Sequence, residues 1–273
     1  AANNDSDVNQ TGYYNNADVF QTGNNHESNI TQDGIGNDSD VAQYGYSQSS
    51  DIDQDGWGNE GVVVQHGWGN DSSIDQTGYF NDADTYQKGT GNEVTHLQAG
   101  WGNSSESVQK GWGNTASIDQ DGKNLSSDVY QTGRRNDADV TQTGVSNSST
   151  IVQEGKFWGQ NSATVNQSGF KNDSDISQYG DFNTASTTQS GVNNDAVVVQ
   201  KGWNNDSTIN QSGYNDLADV YQNGKNHTST VTQSGAGWGA FAQNTATVVQ
   251  TGQNNMSNVA QNGGGNTATV TQQ

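Results

Sequence analysis

Three sets of side chains in this 273-residue chain could do chemistry: 30 carboxylates, four histidines, and glutamines that recur at fixed spacing. Carboxylates stacked in columns could hold Ca²⁺ through their oxygens. Histidines brought together could ligate a metal or catalyse. Glutamine amides in register both donate and accept, so they can run hydrogen-bond ladders from one copy of a unit to the next, which is the chemistry of self-assembly.

The glutamines carry by far the most pattern. They step by 11 residues from Gln10 to Gln153, with Gln32, Gln54, Gln76, Gln120 and Gln142 among them. They resume after a 14-residue step at Gln167, hold to Gln233, and pass a 17-residue step to Gln250, Gln261 and Gln272, giving 24 copies. Gly stands two residues after the Gln in all 23 copies that extend that far, as in Gly12, Gly23, Gly56 and Gly67. A fixed short period marks a repeat array rather than a globular domain built around one site.

The other candidates do not converge. His26 and His227 replace a recurrent Asn, His66 is placed in a turn, and His96 replaces a recurrent Val or Ile, so the four fall on distant units. Asp84, Glu106 and Asp128 share one outward column, as do Asp18 and Asp40, but Val62 and Thr150 interrupt it. The period also lacks the nonapeptide Ca²⁺ pattern. In-register like charge is then expected to oppose premature stacking, with fibre growth quickening as pH or charge repulsion falls. No cofactor and no catalytic set are expected. A solenoid enzyme such as a polysaccharide lyase needs irregular loops and one special carboxylate or basic cluster, whereas every carboxylate here belongs to a repeating column.

The elements that position the glutamines follow from the unit. Two residues before Gln stands Val or Ile in 20 of 24 copies (Val8, Ile30, Ile52 and Ile74 among them), four before it Ser or Ala in 22, and six before it Asn in 19, as in Asn4 and Asn15. A spacing of two puts Asn, Ser/Ala, Val/Ile and Gln on one strand face. That face is uniform and is expected inside, with Gln and Asn forming axial amide ladders. The strict Gly needs positive φ or has no room for Cβ, and Gly-x-x-Asn reverses the chain. Strands of five to seven residues joined by short turns give an all-β fold: a β-solenoid of cross-β amyloid type, two strands per rung and about 12 rungs of 22 residues. At about 4.8 Å per rung the stack is roughly 55–60 Å long. One unit of this kind is expected over residues 1–273, with aromatic-rich inserts near 156–160 and 236–243 (Phe157 and Trp158; Trp238 and Phe241) bulging from opposite edges.

Composition fits a thin, repeated core. Only 28% of residues are hydrophobic, too few for one conventional core. Pro, which would delete a ladder N–H, is absent, and so is Cys. No apolar run approaches a membrane span, and the start at Ala1 reads as a processed form without a leader. The net charge of −21 argues against a nucleic-acid partner. It is uneven: residues 1–87 hold 15 acidic side chains and no Lys or Arg.

The unit Asn-x-Ala/Ser-x-Val/Ile-x-Gln-x-Gly-x-x-Asn resembles the curlin repeat of bacterial curli. Asn15, Ala17 and Gln21-Thr22-Gly23 fit that pattern, as do Asn114, Ala116 and Gln120-Asp121-Gly122. Evenly matched repeats bring the chain closer to the major than to the nucleating subunit type. Two departures are that Asn often takes the family's first Ser position and that the repeats are about twice as many as usual. The resemblance implies a secreted subunit of functional amyloid in a biofilm matrix. Its partners would be further copies of itself, a nucleator subunit, and outer-membrane secretion and chaperone proteins. The repeat logic agrees: the end rungs, at Val8 and Val19 and at Val259 and Val270, carry the same strand code as the middle, so their edges are expected to recruit another copy head to tail.

The outer faces differ. The residue before Gln on even strands includes Phe20, Tyr86, Tyr130 and Tyr221, an apolar stripe expected to drive lateral bundling or adhesion, although plain β-propensity also accounts for it. Trp57, Tyr79 and Trp101 align on one turn edge and Trp68 and Trp112 on the other, as edge-stabilising rings or as a carbohydrate-binding surface. A monomeric ice- or carbohydrate-binding solenoid is the alternative; Thr245/Thr247 and Thr267/Thr269 hint at it but do not persist. Because Thr85, His96 and Ser107 stand where Val or Ile is usual, residues 85–107 are expected to be the weakest part of the core.

Overall fold

In a sequence where alternate residues are uniformly Ser/Ala, Val/Ile and Gln, each strand can bury one face and stack it on its own copy. The computed structural model describes residues 3–156, 158–235 and 243–273. They form 24 strands, β1 (Asp5–Tyr13) to β24 (Thr267–Gln272) in chain order, and no helix. Odd-numbered strands make one 12-stranded parallel sheet and even-numbered strands another. The two sheets stack as a β-solenoid of about 12 turns. Pairing is in register by repeat position, so Val8 lies over Ile30, Gln10 over Gln32 and Gly12 over Gly34.

Most strands are nine residues long, longer than the five to seven expected. They run through the glycine to the residue beyond it, because the Gly backbone pairs with the Gly of the neighbouring rung, as Gly34 does with Gly56. The reversal is left to the short segment between strands. There a second residue of positive φ, two after the strict glycine, turns the chain: Gly58 (φ 63°), Asn25 (58°), Phe80 (55°).

Inward positions alternate with outward ones along almost every strand. Ile52, Val63, Ile118, Val129 and Val198 are fully buried, as are the Gln residues beside them. The buried aliphatics fall into two clusters, one from Ile30 to Ala83 and one from Val94 to Val259. The division falls between β8 (Asp82–Thr90) and β10 (Ser104–Trp112), where Thr85, His96 and Ser107 replace the aliphatic side chain.

The first insert follows β14 (Ser148–Glu154), which is cut to seven residues and pairs only as far as Glu154 with Thr132. Beyond it, Asp181 accepts the backbone N–H groups of Lys156 and Gly159, and Trp158 is exposed. Phe157 and residues 236–242, with Trp238 and Phe241, lie outside the described residues. Sheet order continues past both inserts.

Candidate functional site: amide ladders, turn edges and strand edges

Away from the end rungs, each glutamine of the columns does two things. Its Nε2 donates to Oε1 of the glutamine one rung on, as from Gln54 to Gln76 at 2.8 Å and Gln120 to Gln142 at 2.9 Å. It also donates across the interior to the carbonyl at the start of the facing strand, as from Gln32 to Asn16 at 2.7 Å and Gln76 to Glu60 at 2.7 Å. The two amide hydrogens are thus used, and the buried amide avoids the penalty of an unpaired polar group. The columns cross both inserts unbroken, Gln142 donating to Gln167 and Gln233 to Gln261.

The asparagines work differently from the expected amide ladder. Asn37 Oδ1 accepts the backbone N–H of Asn59, while its Nδ2 reaches the carbonyls of Asp33 and Gly56. Asn15 repeats this, accepting from Asn37 N–H and donating to Thr11 and Gly34 carbonyls. Because Asn sits at the turn, backbone groups lie nearer than the next Asn side chain. Its amide brackets the turn, and only some positions, such as Asn92 to Asn70, add a side-chain bond. Size governs the small slot at Ser28, Ser50, Ser72, Ser174 and Ser207, whose buried hydroxyls find no partner, whereas Ser39 donates to Gln54 and Ser149 to Ser127.

The strict glycines are constrained twice. Gly12, Gly23, Gly56 and Gly67 have φ of 107°, 130°, 122° and 121°. A Cβ on any of them would lie 1.9–2.0 Å from the carbonyl oxygen of the glycine in the next rung.

At the outermost rung the interior expectation fails for Asn4, Val8 and Gln10. All of β1 is exposed, Val8 by 47%, since no strand among the described residues covers it on its outer side. Gln10 still donates to Gln32, and Asn4 Oδ1 still accepts the His26 N–H. Val19 and Val270 are half-buried and Val259 is buried. Within the described stack, β1, β2 (Asn16–Asn24), β23 (Met256–Asn262) and β24 each pair on one side alone.

On the even sheet's outer face, Phe20 stands 56% exposed, whereas Tyr86, Tyr130 and Tyr221 are half-buried among neighbours. The Tyr130 hydroxyl donates to Glu106 at 2.9 Å, and burial together with that bond and the nearby carboxylates pushes its pKa up to about 12. His66 lies within β6 (Glu60–Trp68), not in a turn, and stacks on Tyr44 at 4.5 Å with Phe20 and Tyr86 at either side. Trp57 and Tyr79 meet edge to face at 6.3 Å rather than as a flat platform, and Lys123 caps Trp101.

Burial, with Asp82, Glu60 and Glu106 around it, raises Asp84 to about 6. Burial and then neighbouring carboxylates likewise raise Asp40, Asp51 and Asp53. Among the described residues no three His, Cys, Asp or Glu side chains are placed to hold a metal ion. His96 is fully buried, its Nδ1 against Ser105 Oγ and its Nε2 without a partner, as are Thr85 Oγ1 and Ser107 Oγ. Burial drives its pKa down to about 3.

Comparison with known proteins places the repeat. The family model described as Curlin associated repeat matches residues 1–34, 49–78, 133–156, 159–180, 180–213 and 202–235, more than half of the chain. Comparison with curated proteins gave no match.

Proposed function

Since the chain belongs to the curlin repeat family, we propose that it is a structural subunit that adds head to tail into extracellular amyloid fibres of a bacterial biofilm matrix. The observation that carries this reading is the pair of glutamine columns, which run in register through every rung to strands whose outer edges are unpaired among the described residues. A second copy set on β23 and β24 by its own β1 and β2 would continue both columns. The seam would match Val259 to Val8, Val270 to Val19, and Gln272 to Gln21. Unpaired parallel edges template further strands, and a head-to-tail contact does not close. The role is structural rather than enzymatic. Nucleator, secretion and chaperone proteins are the partners that family membership brings.

Purified chain, aged at neutral pH, should give rising thioflavin fluorescence and unbranched fibres by electron microscopy, with ends that seed fresh monomer. Persistent monodisperse rods would overturn the reading and favour a solitary ice- or carbohydrate-binding solenoid. The stripe of Phe20, Tyr86, Tyr130 and Tyr221 would supply apolar lateral contact. Tyr86→Ser, Tyr130→Ser and Tyr221→Ser together should narrow the bundles in the same micrographs, and unchanged width would remove the stripe from the account.

A further inference from the structure

Charge is distributed along the rod in bands. Residues 1–87 carry 15 acidic side chains and no Lys or Arg, whereas the next 48 residues balance Lys88, Lys110, Lys123, Arg134 and Arg135 against five acidic side chains. The fold sorts these bands onto different surfaces. Lys88 and Lys110 are register partners on the outer face of the even sheet, next to the column of Tyr86, Val108 and Tyr130. Arg134 follows Trp112 in register at the adjoining turn edge, with Arg135 beside it. Both guanidinium groups lie over the Trp112 ring, at 5.7 and 5.4 Å, which holds them in place without neutralising them. All four cations are exposed, and among the described residues none is ion-paired within the chain.

The opposite face holds the complement. On the odd sheet, Asp33 pairs in register with Asp55, and Asp53 with Asp75. Asp51 lies in the same strand as Asp53 and Asp55, and Asp71 opens the next. All six are exposed, with no Lys or Arg on these strands. The crowding of like charge costs free energy that an arriving cation would recover. The Lys and Arg side chains of one rod therefore fit the odd face of another, although Asp84, Glu106 and Asp128 stand on the same even strands, whereas two odd faces repel. The contact is heterologous, so each added rod leaves a fresh face for the next.

We propose that the cationic band of Lys88, Lys110, Arg134 and Arg135 docks on the carboxylate patch of Asp33, Asp51, Asp53, Asp55 and Asp75 of a second copy, joining filaments side by side, even face to odd face. This rests on the fibre reading above, but it concerns the sides of the rod rather than its ends. The occupant is a second copy because this chain itself carries both halves of the match, on opposite sheets.

The test uses fibres of the full chain. Lys88→Glu, Lys110→Glu, Arg134→Glu and Arg135→Glu together should leave thioflavin growth intact while bundles at low salt fall apart into single filaments. Asp51→Lys, Asp53→Lys, Asp55→Lys and Asp75→Lys together should do the same. Mixing preformed fibres of the two variants should restore bundling, since each supplies the charge the other lacks. Wild-type bundles should loosen as salt shortens the screening length to a few ångströms, about 3 Å at 1 M. Bundle width unchanged in both variants, or no recovery on mixing, would overturn the proposal. So would a band that captures duplex DNA in a gel-shift while its reversal leaves bundles unaltered, since the band would then serve a polyanion. Should the chain stay monomeric, fibre assembly is what has failed; sedimentation of wild type and variants would then show whether salt-sensitive pairing of single rods is lost with the band, and pairing that persists would end the docking proposal as well.

Discussion

At the scale of single residues, the turn separates two glycines that the sequence makes look alike. Gly34 lies near the end of a strand and Gly36 in the turn that follows it, with φ of 128° and 68°. A Cβ at Gly34 would meet the Gly56 carbonyl oxygen at 2.0 Å, whereas at Gly36 it would meet nothing within 4 Å. Gly36→Ala therefore carries only the left-handed backbone cost, about 1–2 kcal/mol. Gly34→Ala carries that strain plus a backbone clash that no side-chain rotation relieves, and should prise apart the rungs of β3 (Glu27–Ile35) and β5 (Ser49–Trp57). Hydrogen exchange should show protection lost in those two strands for Gly34→Ala and retained for Gly36→Ala; equal protection would contradict this account. The sequence makes the first position legible because no other residue ever fills it. The second stayed hidden because it accepts Tyr14, Asn25, Arg135 and Phe80 as well as Gly. Its constraint is a tolerated left-handed conformation, so it leaves a preference for Gly and Asn rather than one fixed residue.

At the scale of strands, the 11-residue period set which residues face inward, and the fold class followed from it. Strand ends were less legible: glycine ordinarily interrupts strands, yet here most of the glycines after Gln ladder on another and the strand passes through. The gap in the aliphatic column at Thr85, His96 and Ser107 could be read directly. That His96 leans on Ser105 of the facing strand could not, since Ser105 merely fills the usual small slot. Along its column His96 lies between Ile74 and Ile118. The inward residues of the facing β10 are Ser105, Ser107 and Gln109, so no ionisable group faces the ring. Its folded pKa of about 3 lies below the ordinary 6.5, so between those values the unfolded chain binds the extra proton. Stability is then lost as pH falls from 6.5 towards 3, by on the order of 5 kcal/mol at the lower limit. His96→Ile should rejoin the two aliphatic clusters, raise the denaturation midpoint at pH 7 by about 1–3 kcal/mol equivalent, and remove this part of the acid sensitivity. A variant no more stable than the parent, with the same acid slope, would show that the fault lies elsewhere in rungs β8 to β10.

At the scale of the whole rod, two proton-linked effects oppose each other, and assembly should report their difference. The carboxylate columns favour order as acid is added. Asp84 is raised to about 6 when folded, against 3.8 as an isolated group, so the folded form takes up the proton first and gains stability as pH falls through that window. Asp40, Asp51, Asp53 and Asp128 shift in the same direction. They are surface groups, which salt screens. His96 acts in the reverse sense over an overlapping range, and being buried it is little screened. Seeded growth should therefore quicken from pH 7 to about 5 and then level off in the parent chain, while the His96→Ile chain should keep accelerating towards pH 4. Added salt should raise the pH 7 rate of both chains, because the carboxylates are ionised there and their repulsion is what it weakens. If the two chains trace the same curve, His96 is neutral at no free-energy cost to the fibre; if neither responds to pH or salt, the acidic columns do not restrain assembly.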